Sequence, residues 1–170
     1  MANNEDGMKK NLTNYGDKGF SIFLRKAFIK GLGYSDEMLD KKIIGITNTF
    51  SDYNPCHGNV PDLIKSVKTG ILSNGAIPLE FPTITIHESF ANPTSMYLRN
   101  LMSIDTEEML RAQPMDACVL IGGCDKTVPA QIMGGLSADI PIIQLVTGPM
   151  LTGSFRGERV GACTDCRRFW

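Results

Sequence analysis

Residues 119–135 read "VLIGGCDKTVPAQIMGG". An apolar run ends in two glycines. Cys124, Asp125 and Lys126 follow in a row, and then a stretch with helical character. Residues 117–121, "ACVLI", predict a strand buried on both faces. Residues 127–138 predict a helix, with Pro129 in its first turn, where a missing N–H costs little. A buried strand running into a helix is half of a parallel βαβ unit. In open sheets of that kind, ligands bind at the carboxyl ends of the strands. This stretch places three reactive side chains of three kinds at such an end.

The rest of the chain reads in the same alternation. Residues 18–31 predict an amphipathic helix with Phe20, Phe23, Leu24, Ala27 and Phe28 at helical spacing, stopped by Gly31 and Gly33. Ile43 to Thr47 form a short buried strand that leads into a polar loop holding Asn54, Pro55, Cys56, His57 and Gly58. A helix follows over 60–74, with Leu63, Ile64, Val67 and Ile71 on one face. Strand character appears at 77–81 and again at 83–86, interrupted by Pro82. A helical region covers 94–112; Asp105 with Glu108 resembles a capping box and suggests a break near Ser103. Residues 140–146 predict another buried strand, leading into a loop over 147–162. The expected fold class is α/β: a parallel sheet covered by helices on both faces, with right-handed crossovers. The expected organisation is a polar N-terminal arm over 1–17 and one α/β domain over 18–170. "CTDCRRFW" at the end reads as the start of a helix, so the domain is expected to be incomplete at its C-terminal end.

Composition narrows the function classes. The formal net charge is −1, and no run of lysines or arginines stands out. That argues against a nucleic-acid or membrane-surface partner. No stretch approaches the ~20 apolar residues of a membrane span. The start, "MANNEDGMKKNLTNYGDKG", lacks the apolar core of a signal peptide, so a cytoplasmic protein is expected. The five cysteines are Cys56, Cys118, Cys124, Cys163 and Cys166. An odd count without a secretory signal argues against a disulfide framework.

Three predicted strand ends carry unusual side chains: Cys56 after the first, His87 and Glu88 after the second, and Cys124, Asp125 and Lys126 after the third. If the strands are neighbours, these groups share one crevice. Thiolates are soft ligands, suited to zinc, copper or iron–sulfur chemistry. Carboxylates are hard ligands, suited to magnesium or manganese. Gly122 and Gly123 would allow close backbone approach to a cluster or substrate, and the following helix N-terminus favours an anion. Plainer readings stand beside these. Cys118 reads as a core residue. Position alone leaves Cys56 and Cys124 open between core and ligand. Glu88 reads as a solvated loop residue, and Asp125 with Lys126 as an ordinary helix start. His57 and His87 are assigned no role. The Cys163–Cys166 pair has redox or zinc spacing but no second half.

"NPCHGNV", "GGCDKTVPAQIMGG", "DIPIIQLVTGPM" and "RGERVGACTDC" resemble the dihydroxy-acid and phosphogluconate dehydratase family. "FPTITIHES" and "PTSMYLRNLMSIDTEEMLRAQPMDA" look most like its sugar-acid branch, the arabinonate, xylonate and galactonate type dehydratases. The resemblance runs from about residue 16 to the end. It implies an iron–sulfur cluster with Cys56 and Cys124 as two of three cysteine ligands, of the 2Fe–2S type rather than 4Fe–4S. It also implies a magnesium site at Glu88, Asp125 and Lys126, the lysine carbamylated to give an anionic oxygen ligand. The implied reaction takes a sugar acid to its 2-keto-3-deoxy acid, and family members are dimers or tetramers. The family's third cluster cysteine, its serine base and its β-rich C-terminal domain match nothing in this chain. The chain alone is therefore expected to be inactive. Two other readings remain: a truncated, non-catalytic paralogue acting as a binding or regulatory domain, and a thiol or zinc protein built on Cys163 and Cys166.

Overall fold

Four short apolar segments pair in parallel, and the helices between them cover both faces of the resulting sheet. The computed structural model describes residues 5–12 and 14–169, with the side chains of residues 14, 162, 163, 167 and 169 outside that description. In chain order the helices and strands are α1 (Lys18–Lys30), α2 (Asp36–Leu39), β1 (Ile43–Asn48), α3 (Val60–Ser73), β2 (Ile77–Pro82), α4 (Arg99–Ala112), β3 (Ala117–Gly122), α5 (Thr127–Ala138) and β4 (Ile142–Val146). A small hairpin, β5 (Gly153–Phe155) and β6 (Glu158–Val160), and a last helix, α6 (Ala162–Phe169), follow. The sheet order is β2-β1-β3-β4 and every pairing within it is parallel. The chain leaves β1 in one direction to reach β2, then crosses back to the other side for β3. The topological switch point therefore lies between the carboxyl ends of β1 and β3.

The strand period of two sorts the core into two layers. Ile43, Ile77, Phe81, Cys118 and Leu120 point to one face and join Leu39, Leu110 and Met115. Ile46 and Ile121 point to the other and meet Val60 and Ile64 of α3. Leu63, Val67 and Ile71 pack at the edge of that second layer, as their spacing predicts. Cys118 is a core residue, 2 % exposed, and burial pushes its thiol up to about 12. Residues of the N-terminal arm also pack on this domain: Met8 is buried in the first layer. Asp116, just before β3, ties that segment to the sheet. Its carboxylate accepts from Gly7 N–H at 3.0 and 3.1 Å and from Ile43 N–H at 2.8 Å.

Several expectations change. Residues 83–86 form no strand, because β2 ends at Pro82. The predicted break near Ser103 is absent. The change of winding comes at Leu98, where a 3-10 turn over Ser95–Leu98 passes into α4. Asp105 lies inside α4 and accepts from Ile84 N–H at 2.7 Å, which anchors the strandless segment instead of capping a helix. β4 is an edge strand with Ile143 68 % exposed, not a fully buried one. Residues 153–160, expected as loop, pair as an antiparallel hairpin. Helix α1 forms where expected, with Asp17 capping Phe20 N–H. Its phenylalanines 20, 23 and 28, however, face outward. The helix packs through Ser21, Ile22 and Ile29 instead, and Arg25 donates to the carbonyls of Met8, Lys10 and Asn11.

Removing the Asp116 carboxylate leaves two backbone donors without a partner. Asp116→Ala is expected to lower stability by about 2 kcal/mol in urea unfolding. Asp116→Asn, which keeps one acceptor oxygen, is expected to lose less.

Candidate metal centre

The loops after β1 and β3 are held together by one side chain. His57 is fully buried. Its Nε2 accepts from Gly123 N–H at 2.9 Å and Cys124 N–H at 3.2 Å. Two donors on Nε2 require the ring proton to sit on Nδ1. That Nδ1–H faces Thr49 O at 2.8 Å and Thr85 Oγ1 at 2.9 Å. Burial holds the imidazole pKa below its ordinary value, against the raising effect of the Thr49 bond.

Around this link the backbone is tightly fitted. Thr147 donates its hydroxyl to Cys56 O at 2.8 Å, and Asn59 donates to Thr147 O at 2.8 Å. A Cβ on Gly123 would stand 1.5 Å from Thr147 Oγ1, and one on Gly122 would stand 2.6 Å from Gln131 Oε1. The two glycines admit the close approach of the protein's own α5 and post-β4 loop. Gln131 then closes a buried network, donating to Thr47 Oγ1 at 3.1 Å and Ile121 O at 3.0 Å.

This frame brings the two candidate thiols together. Cys56 Sγ, Cys124 Sγ and a ring nitrogen of His87 all lie within 4.8 Å of one another. Cys124 is 6 % exposed. Its thiol is pushed up to about 11, first by burial and then by the charges of Cys56 and Asp125. A cavity of about 390 Å³ opens beside Cys56, bounded by Gly123, Met150, Leu151 and Thr164.

The candidate hard ligands gather next to it. Lys126 Nζ stands 2.7 Å from Asp125 Oδ2 and 3.6 Å from Glu88 Oε2. The lysine side chain is only 13 % exposed, and the bond to Asp125 leads in raising its pKa. Glu88 accepts from the hydroxyls of Thr94 and Ser95 and from Ser95 N–H. The Ser95 and Thr94 hydroxyls hold its carboxyl down to about 2. Asp125 Oδ1 accepts from Cys124 Sγ at 3.5 Å. Thus all five sequence-predicted site residues meet at one end of the sheet, as a soft pair beside a hard set.

The donor chemistry fits the implied groups. Two thiols and an imidazole nitrogen suit a soft metal or iron–sulfur cluster. Two carboxylates suit magnesium, and a carbamate on Lys126 would add a third oxygen donor where an ammonium now neutralises them. Cys166 is exposed on α6, while the Cys163 side chain lies outside the described residues. The sequence reading missed the holding roles of His57, Thr94, Ser95 and Thr147. Adjacency was the available signal for His57, which follows Cys56 directly; Thr94, Ser95 and Thr147 stand too far from the predicted residues to carry one.

Two outcomes check this frame. Gly123→Ala is expected to destabilise by about 2–3 kcal/mol through overpacking against Thr147. Gly70→Ala, in open space on α3, is expected to be neutral or to stabilise by up to ~1 kcal/mol. The depressed His57 pKa means the unfolded chain takes up the proton first. Stability is therefore full above the ordinary value of ~6.5 and falls as pH drops from there toward the folded pKa. His57→Gln is expected to melt lower at pH 7.5 and to lack that part of the pH dependence in thermal unfolding.

Comparison with known proteins supplies the family. The model of the dihydroxy-acid/6-phosphogluconate dehydratase N-terminal domain matches residues 41–169. L-arabinonate dehydratase of Rhizobium leguminosarum bv. trifolii is 44% identical over 91% of this chain and 27% of its own length. D-xylonate dehydratase of Caulobacter vibrioides is 41% identical over 85% of this chain and 24% of its length. 6-Deoxy-6-sulfo-D-gluconate dehydratase of Pseudomonas putida is 42% identical over 79% and 23%. The chain spans about a quarter of the length of these curated relatives. With the match covering most of its length, the chain belongs to the dihydroxy-acid/6-phosphogluconate dehydratase family, through that family's N-terminal domain.

Proposed function

We propose that this chain is the metal-binding part of a sugar-acid dehydratase, a hydro-lyase that takes an aldonate to its 2-keto-3-deoxy acid. The observation that carries the reading is the meeting of Cys56 and Cys124 with Glu88, Asp125 and Lys126 at the switch point of the sheet. The sugar-acid dehydratases among its relatives support the substrate class.

In this reading Cys56 and Cys124 hold an iron–sulfur cluster, of the 2Fe–2S type that the sugar-acid resemblance favours. Glu88, Asp125 and a carbamylated Lys126 hold magnesium. When bound, these groups supply Lewis acidity at the departing C3 hydroxyl and at the carboxylate and C2 hydroxyl of the substrate. The chain's own residues prepare that chemistry. Thr94 and Ser95 keep Glu88 ionised and aimed at Lys126. Asp125 is held ionised, chiefly by its bond to Lys126. His57 fixes the Cys124 backbone, so the spacing of the two thiols is set before any metal arrives. The cavity beside Cys56 gives a small polyhydroxy acid room to approach. The base that takes the C2 proton is assigned to no residue here, and the 170-residue chain alone is proposed to be inactive.

The test is a chimera in which residues 41–169 replace the matching segment of the Rhizobium L-arabinonate dehydratase. It is expected to dehydrate L-arabinonate, and Cys124→Ser or Glu88→Gln within it to lower kcat/KM by at least ~100-fold, about 2.7 kcal/mol of transition-state stabilisation. A folded, metal-loaded chimera without dehydratase activity would contradict the reading. Turnover of any aldonate by the 170-residue chain itself would contradict the proposed inactivity.

A further inference from the structure

We infer that Ser95 holds the Glu88 carboxylate to ligation through one oxygen, so that the hard half of the centre takes magnesium in preference to calcium. The inference rests on the magnesium site of the proposed function and adds how that site selects its ion.

A carboxylate offers about four lone-pair sites, two on each oxygen. Among the described residues, three donors reach those of Glu88. The Thr94 hydroxyl donates to Oε1 at 2.7 Å. Ser95 donates to Oε2 twice, from its N–H at 2.9 Å and from its hydroxyl. Oε2 is therefore filled, and Oε1 keeps one open site. The position of Lys126 agrees with this. Its Nζ stands 3.6 Å from Oε2, beyond a direct hydrogen bond. A cation can take the open site through a single oxygen. Chelation by both oxygens needs a lone pair on Oε2, and so needs a Ser95 bond to break.

That restriction separates the two common hard cations. Calcium takes about 6–8 oxygens at about 2.3–2.6 Å and often draws both oxygens of a carboxylate. Magnesium takes an octahedron at about 2.0–2.1 Å, with one or two carboxylates and retained waters. A glutamate that can offer one oxygen serves magnesium fully and denies calcium part of its shell.

The restriction belongs to Glu88 alone. Asp125 is bonded to Lys126 Nζ and to the Cys124 thiol. In the proposed function the lysine is carbamylated and the thiol ligates iron, so both donors leave Asp125 on loading. The donors on Glu88 are an amide and two hydroxyls with no part in ligation, and they stay.

The Ser95 clamp is also firmly placed. Ser95 is 1 % exposed and opens the 3-10 turn that runs into α4. Helix α4 lies backbone-close on α5: a Cβ on Gly134 would stand 2.5 Å from Ser103 O. Asp125 and Lys126 immediately precede α5. One helix pair thus sets the clamp against the other two candidate ligands.

The experiment uses the 170-residue chain in bicarbonate buffer after removal of metals with a chelator. Manganese(II), a hard ion for oxygen ligands, is titrated in, and the free ion is read by electron paramagnetic resonance. Magnesium and calcium are then each used to displace it. Glu88→Gln is expected to weaken manganese by at least ~10-fold, and magnesium to displace it at lower concentration than calcium. Ser95→Ala is expected to shift the ratio of calcium to magnesium affinity by at least ~10-fold toward calcium. Thr94→Val, which leaves Oε2 filled, is expected to weaken both ions alike and keep the ratio. Mere loosening of Glu88 would also weaken both ions alike, so the ratio reads the clamp itself. Circular dichroism checks folding. Ser95→Cys, nearly the same shape with a weak donor, is expected to show the same shift and keeps the test decisive if Ser95→Ala does not fold. An unchanged ratio in the folded Ser95 variants, an equal shift in Thr94→Val, or a parent that prefers calcium overturns the inference. If Glu88→Gln still weakens manganese in those cases, the magnesium reading stands without the Ser95 clamp. If Glu88→Gln has no effect, the inference and the magnesium reading both fail.

Discussion

The site depends on a buried imidazole that satisfies two backbone donors at once. Gly123 N–H and Cys124 N–H both point at His57 Nε2, while the opposite nitrogen faces Thr49 O. The βα turn after β3 has to leave the sheet at the switch point, where its first amides have no strand partner. A buried amide left unpaired costs about 1–3 kcal/mol. His57 meets that requirement from the neighbouring loop and so fixes the distance between the loops. Because Cys56 precedes His57 and Cys124 supplies one of the amides, the same bonds set the spacing of the two thiols. A structural need of the backbone becomes the geometry of the candidate metal site.

The second constraint is charge. Three ionisable groups, Glu88, Asp125 and Lys126, lie beside two thiols, the lysine largely buried and the carboxylates open to solvent. Burial, with the charges of Cys56 and Asp125, disfavours the Cys124 thiolate, while hydroxyl and amide donors favour the Glu88 carboxylate. Lys126 sits between the two carboxylates and neutralises them. The Cys124 thiol is costly to ionise and the two carboxylates ionise freely, so the soft and hard halves of the candidate centre differ in charge as well as in donor type. The "CDK" run places the soft and hard candidate ligands next to one another in the chain.

Much of this was legible in the sequence. The strands at 43–47 and 117–121 and the helices at 60–74 and 127–138 are short, strongly patterned elements whose apolar faces match the layers they fill. The convergence of Cys56 and Cys124 followed from parallel strand ends, whereas Glu88 reaches them without the strand expected at 83–86, from a 3-10 turn beyond the end of β2. What the sequence could not show was set by tertiary contacts. The exposed phenylalanines of α1 have ideal helical spacing, but spacing does not say which face meets the sheet. Asp105 has the pattern of a helix start, yet its carboxylate is used by Ile84 N–H across the fold. Gly122 and Gly123 announce close approach without naming the partner, which proved to be Gln131 and Thr147. His57 carries no periodic signal, and its role rests on atoms from distant segments.

The most direct measurement is nitrogen NMR of the His57 ring as pH is lowered from 7.5. The account predicts one tautomer, protonated at Nδ1 with Nε2 as acceptor, coupled through hydrogen bonds to the Gly123 and Cys124 amides. It predicts that this ring stays neutral below the ordinary titration range of a histidine near ~6.5. A ring protonated at Nε2, or one that titrates at that ordinary value without disturbing the two amides, would contradict it.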